Sequence, residues 1–151
     1  CFVKLNSRVD EYGSAKIETR MQLAMEVVSA IKNRESVKIP ISYYFSIFDK
    51  IEDGFKPKDL KSMLILLENA GVDFFHPLAV HAMNKCFENK EPLCQWSAKY
   101  TDIPLIINGN IKSPQLLDEA ATMGCADWFA MDQSIFERLQ WYQFLKRKIS
   151  Q

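Results

Sequence analysis

The chain has 151 residues and balances 19 Lys and Arg against 19 Asp and Glu, a formal net charge of zero. That length suits one ordinary domain, and the neutral balance leaves no basic footprint for nucleic acid or an anionic membrane surface. Hydrophobic residues at 48% and charged residues at 25% exclude a disordered composition. Apolar runs such as Met63-Leu64-Ile65-Leu66-Leu67 fall far short of the roughly 18 residues that a membrane span needs. No signal or transit pattern opens the sequence, and the four scattered cysteines (Cys1, Cys86, Cys94, Cys125) suggest a reducing cytoplasm. A chain that begins with Cys1 is expected to be a piece of something longer or a trimmed one.

Helices alternate with short apolar strands along the chain. Ile17, Met21, Ala24, Val28 and Ile31 recur at helical spacing and predict a helix over 17–31, ended by Asn33 and the polar run after it. A strand is expected at 41–45, with Pro40 at its entry. Asp53-Gly54 marks a loop, and Pro57 suits the first turn of a helix whose buried stripe is Leu60, Met63, Leu64 and Leu67. Gly71 fits a left-handed helix stop, followed by a strand near 72–76. The segment from His76 to Pro92 has no period and reads as a long loop. A third strand is expected near 104–108, apolar on both faces like a buried parallel strand. Ser113-Pro114 reads as a cap and a first-turn proline opening a helix to Gly124, followed by a strand near 127–130. A last helix from Phe136 ends in Lys146-Arg147-Lys148, where cations favour the dipole.

Two segments echo each other: Leu66 to Phe75, and Leu116 to Phe129. Each is a helix, a glycine stop and a strand that opens with Asp and aromatics. A repeated αβ unit marks an array of βα units with parallel strands. The pattern fits either an open doubly wound sheet or half of an eight-stranded barrel.

Few residues stand out as chemical candidates. Asn108-Gly109-Asn110 follows the third strand and precedes a helix, a place where backbone N–H groups and the helix dipole favour a phosphate. A tight turn without a ligand explains the same residues. His76 and His81 with Cys86 and Cys94 match no tight zinc spacing, so no metal site is expected. His76 is better placed than His81, because a strand's C-terminal end is where barrel sites collect, although loop anchoring accounts for it equally well. Packing is the default account of Tyr43, Tyr44, Phe74, Phe75, Trp128 and Phe129.

The opening stretch is more specific. Asn6, Arg8, Asp10, Tyr12, Gly13 and Ser14, followed by Glu18 and Arg20, fall in the order Asn-x-Arg-x-Asp-x-Tyr-Gly-Gly-Ser…Glu-Asn-Arg. One glycine is missing, and the spacing before the helix is lengthened. This resembles the signature of the old yellow enzyme family of NADH:flavin oxidoreductases. Phe55-Lys56-Pro57-Lys58-Asp59 looks like the family's segment after strand five, and Gly71-Val72-Asp73-Phe74-Phe75-His76 like its sixth strand. Ile103 to Ile111 looks like the seventh, and Gly124-Cys125-Ala126-Asp127 like the opening of the eighth.

The resemblance implies an α/β fold: the C-terminal half of a (β/α)8 TIM barrel, with four parallel strands alternating with helices. Residues 1–151 would run from the exit of strand four to the final helix, without the N-terminal half. It also implies FMN as cofactor and NAD(P)H as reductant of a small-molecule acceptor such as an activated alkene. The cofactor-binding positions carried over are Tyr44, Asn108, Gly109, Asn110, Asp132 and Gln133, and no catalytic residue falls in this half. Three of them depart from the family. Tyr44 stands where an Arg contacts the flavin ring, and Asp132-Gln133 stands where a Gly-Arg pair grips the phosphate. Losing a bidentate cation and adding an anion both oppose FMN, at about 1 kcal/mol or more each.

Two functions therefore compete: an oxidoreductase half with a degenerate flavin site, and a non-catalytic descendant acting as a structural or interaction protein. An open flavodoxin-like sheet binding another phosphate leaves the opening motif unexplained. The expected partner is the missing N-terminal half-barrel or a second copy, with no nucleic acid and no membrane. Ile41, Phe74, Ile106 and Phe129 are the residues expected among the inward faces that such a partner covers.

Overall fold

A computed structural model describes residues 6–34, 36, 38–46, 57–78, 83, 92–131, 141, 143–144 and 146–147. The elements are α1 (Ile17–Lys32), β1 (Ser42–Ser46), α2 (Pro57–Ala70), β2 (Phe74–Leu78), α3 (Leu93–Ala98), β3 (Ile106–Asn108), α4 (Pro114–Thr122) and β4 (Trp128–Ala130). The strands form one sheet in the order β1-β2-β3-β4, and every pairing is parallel. Sequential parallel strands with helical crossovers are the architecture of a partial (β/α)8 barrel. No helix among the described residues is long and apolar enough to cross a membrane.

Alternation sorts the strand side chains onto two faces. Tyr43, Phe45, Phe75 and Leu105 face the helices and join Met21, Val28, Leu60, Met63, Leu64 and Leu67 in the main core. Ile107 and Phe129 continue that face into a second cluster with Cys94, Ala120 and Cys125. The opposite face, the concave side of the barrel, carries Tyr44, Phe74, His76, Ile106, Asn108 and Trp128, to judge from alternation and register. Tyr44 meets His76 there at 4.7 Å between ring centroids, and Phe74 meets Trp128 at 5.3 Å.

The strand positions are right to within one or two residues, and the differences have physical causes. Residues 72 and 73 lie before β2, because Val72 and Asp73 form the turn out of Gly71. His76-Pro77-Leu78 continues β2, where the sequence reading begins a loop. The Phe75 N–H donates to Pro104 O at 3.0 Å. Two residues on, along the same strand edge, Pro77 has no N–H to give. The β2–β3 ladder is accordingly sparse, with bridges only at Phe75–Leu105 and Leu78–Asn108. The short helix α3, absent from the sequence reading, seats Cys94, Trp96 and Ser97 in the interior. Ile41 and Phe129 are also corrected: both pack on the helix side, leaving Phe74 and Ile106 of the four expected residues on the concave face. The Asp53-Gly54 loop and most of the last helix lie outside the described residues, although Trp141 is helical and buried.

Helix ends follow their sequence signals. The Ser113 side chain accepts from the Leu116 N–H at 3.3 Å, with Pro114 in the first turn of α4. Gly71 has φ +109°, and a Cβ there would lie 2.8 Å from Lys32 Cγ.

The αβ echo has a concrete meaning. Asp73 Oδ2 accepts from the Ile41 N–H at 2.7 Å, and the Ile41 carbonyl accepts from the Asp73 and Phe74 N–H groups. Two strands later, Asp127 Oδ2 accepts from the Leu105 N–H at 2.9 Å, and the Leu105 carbonyl accepts from the Asp127 and Trp128 N–H groups. Each aspartate thus clamps the entry of its own strand to the entry of a neighbour. Lys32 Nζ, 2.6 Å from Asp73 Oδ2, holds that carboxyl below the usual carboxylate range, helped by the Ile41 N–H.

Asp127→Ala would leave the N–H of buried Leu105 unpaired. A loss of about 1–3 kcal/mol in urea unfolding is expected, and a change under about 0.5 kcal/mol, the range of an ordinary surface substitution, would contradict the clamp.

Candidate functional site

The C-terminal strand ends form one rung: Ser46 pairs with Leu78, Leu78 with Asn108, and Asn108 with Ala130. At this rung the chain leaves β3 through Asn108-Gly109-Asn110. Gly109 is buried, Asn110 is exposed with φ +49°, and Ile111 is buried as the chain turns toward the Ser113 cap of α4. Asn is among the few non-glycine residues that tolerate this left-handed region. The geometry is a tight strand-to-helix turn at the mouth of a partial barrel, next to a helix N-terminus that favours anions.

Tyr44 is not brought to this turn. It pairs with His76, two residues before the Asn108 rung, or about 7 Å deeper along the strand. Tyr44 is 55% exposed, and its ring meets His76 edge-on at an interplanar angle of 77°. His76 lies mid-strand and not at a strand end, since β2 runs on to Leu78. Its Nε2 is buried with no hydrogen-bond partner among the described residues, and burial lowers its pKa from the ordinary histidine value. Asp132 and Gln133 lie outside the described residues, as do His81 and Cys86. Among the described residues no group of three His, Cys, Asp or Glu side chains could hold a metal ion.

The opening motif forms a compact loop bonded to itself. Asn6 Nδ2 donates to Tyr12 O at 2.7 Å, and Asn6 Oδ1 accepts from the Arg8 N–H at 3.2 Å. Asp10 accepts from Nε and Nη2 of Arg8 as well as from the Tyr12 N–H. Arg8 holds the Asp10 carboxyl below the usual range, chiefly through that hydrogen bond. Ser14 Oγ donates to Asn6 O at 2.8 Å, Arg20 Nε donates to Ser14 O at 2.7 Å, and Arg20 also reaches Asp59 at 3.5 Å. Gly13 allows the turn to close, since a Cβ there would lie 2.6 Å from the Arg8 carbonyl oxygen. The motif residues thus tie the loop to α1 and α2.

A four-stranded parallel βα array with a tight turn after its third strand is the class that fold and geometry define. The family model described as NADH:flavin oxidoreductase / NADH oxidase matches residues 2–151. The chain belongs to this family, the old yellow enzyme type of FMN-dependent oxidoreductase, whose membership implies FMN as cofactor and NAD(P)H as reductant. It is 29% identical over 147 residues to an NADH oxidase of Thermoanaerobacter brockii, covering 91% of this chain and 22% of that protein. It is 26% identical over 156 residues to a bilirubin reductase of Clostridium symbiosum, covering 90% of this chain and 40% of that protein. Among solved structures, a 2-naphthoyl-CoA reductase complex matches with a TM-score of 0.72 at 18% identity, covering 99% of this chain and 24% of that one. The chain therefore spans well under half the length of these relatives.

Burial penalises charged His76, so the unfolded chain takes up its proton more readily. The resulting stability is present above the ordinary histidine value of about 6.5 and is lost as pH falls through the lower folded value. The urea midpoint should therefore fall between about pH 7 and 5 in the native sequence, and fall less in His76→Gln. Equal slopes in the two proteins would contradict this assignment.

Proposed function

We propose that this chain forms the flavin-phosphate side of an FMN-dependent NAD(P)H oxidoreductase of the old yellow enzyme type, with a loosened grip on the cofactor. The observation that carries the reading is the Asn108-Gly109-Asn110 turn, set between a parallel strand end and the capped start of α4. Backbone N–H groups at Gly109, Asn110 and Ile111 suit a phosphate in such a turn, with no side chain required. When bound, FMN supplies hydride chemistry between NAD(P)H and an oxidised acceptor. Tyr44 stands where the resemblance expects a guanidinium, and Asp132 where it expects a glycine of the phosphate grip. A flavin-free descendant is the second reading, and these same substitutions favour it. A reducing cytoplasm fits the cysteine usage.

The turn fits the phosphate and the substitutions oppose it, so FMN binding should be weak. Asp132→Gly with Gln133→Arg should tighten FMN by about tenfold or more in a flavin fluorescence titration, the equivalent of about 1.4 kcal/mol. A native sequence that already binds as tightly as the double variant would overturn the account of these residues. Failure of both proteins to bind would favour the flavin-free descendant.

The concave face is proposed to be covered by an N-terminal half-barrel or, failing that, by a second copy. Tyr44 is 55% and Trp128 48% exposed on it, and β1 and β4 stand at the sheet's two ends. Burial at about 25 cal/mol per Å² and unpaired strand edges both favour a partner. Light scattering on the 151-residue chain alone should give a mass well above 17.5 kDa. A monodisperse, cooperatively folding monomer would count against this.

A further inference from the structure

We propose that Cys94 and Cys125 are a redox-active pair that forms a reversible intramolecular disulfide on exposure to a small peroxide. Both are free and fully buried, and their Sγ atoms lie 2.6 Å apart. The S–S bond length is about 2.05 Å, so bonding needs a shift of only about half an ångström. Cys94 lies in the first turn of α3 and Cys125 in the turn between α4 and β4, so the bond would join two elements across 31 residues of sequence. The pair sits on the helix side of the sheet with Ile107 and Ala120, and Met83 Sδ lies 3.9 Å from Cys94 Sγ. It is therefore remote from the concave face and independent of the flavin reading.

The two sulfurs are not equivalent. A hydrogen bond from Cys125 favours the Cys94 thiolate and pulls Cys94 below the usual thiol range, aided by the Gln95 backbone N–H. The same bond, with burial, pushes Cys125 far above that range. Either sulfur can open the reaction, and the balance is the same with Cys94 attacking first. Its thiolate attacks one oxygen of hydrogen peroxide, breaking the O–O bond to give a sulfenic acid and hydroxide. Cys125 sulfur then displaces hydroxide from the Cys94 sulfur, forming the S–S bond as the Cys125 proton leaves to make water. Two thiols lose two electrons and two protons, and one peroxide is reduced to two waters. A dithiol reductant reverses the reaction. Such transient bonds are the kind a reducing compartment permits.

The test uses the full chain, reduced, exposed to hydrogen peroxide, unfolded in N-ethylmaleimide and mapped by mass spectrometry without reduction. The expected product in most molecules is one cross-linked peptide pair joining Cys94 to Cys125, lighter by two hydrogens and released by dithiothreitol. The oxidised chain should also melt higher by about 5 °C, a gain that Cys125→Ala abolishes. Mapping of the unaltered chain decides the matter even if that variant fails to fold. Recovery of both residues as maleimide adducts, their conversion to sulfinic acids, or linkage of Cys94 to Cys1 or Cys86 would overturn the proposal.

Discussion

The strand-entry aspartate is the constraint on which the rest of the structure depends. Parallel strands gain no help from a hairpin, so their register must be fixed after a long crossover. Asp73 and Asp127 do this by taking the N–H of Ile41 and Leu105, while the carbonyls of those residues take two N–H groups in return. Both aspartates follow a glycine stop, and the two glycines hold φ of +109° and +66°. The clamps set the β1–β2 and β3–β4 pairs, the Phe75–Leu105 bridge joins the two, and Leu78, Asn108 and Ala130 share one rung at the opposite ends. A tight turn at that rung is the geometry proposed to receive a phosphate.

The concave face follows from the same register. Because side chains alternate, the Asp73 clamp sets Tyr44 beside His76, while Phe74 meets Trp128 across the β2–β3 pairing, which the Phe75 N–H to Pro104 O bond begins. This face mixes aromatic rings with the His76 imidazole, whose buried Nε2 has no hydrogen-bond partner among the described residues. Tyr44 sits two residues below the rung of the Asn108 turn, so the two occupy different layers of the sheet. Cys94 and Cys125 lie on the other side, among the helices.

Much of the fold was legible because its punctuation is local. Pro57, Ser113-Pro114, Gly71 and Gly124 marked helix ends that the structure keeps. The repeated Asp-aromatic opening showed a βα array before any pairing was known. Less legible was what depends on tertiary contact. The β2 strand runs through Pro77, a residue that ordinarily argues against a strand, since its missing N–H is tolerated by a thinned ladder. Helix α3 is only six residues long, too short for a period to emerge, and Cys94 and Cys125 come together only through folding. Of the site, the Asn108-Gly109-Asn110 turn was readable from its place after a strand, whereas the inward partner of Tyr44 required the register. The opening motif pointed to the family, yet its hydrogen bonds are those of a scaffold.

The central claim is that an FMN phosphate rests on the backbone of the turn after β3. Hydrogen exchange with and without saturating FMN, read by mass spectrometry across the chain, tests it most directly. The account predicts slowed exchange in peptides spanning residues 108–111, with the opening loop at residues 6–14 unchanged. Protection confined to other segments, with exchange at 108–111 unaltered under saturating FMN, would contradict it.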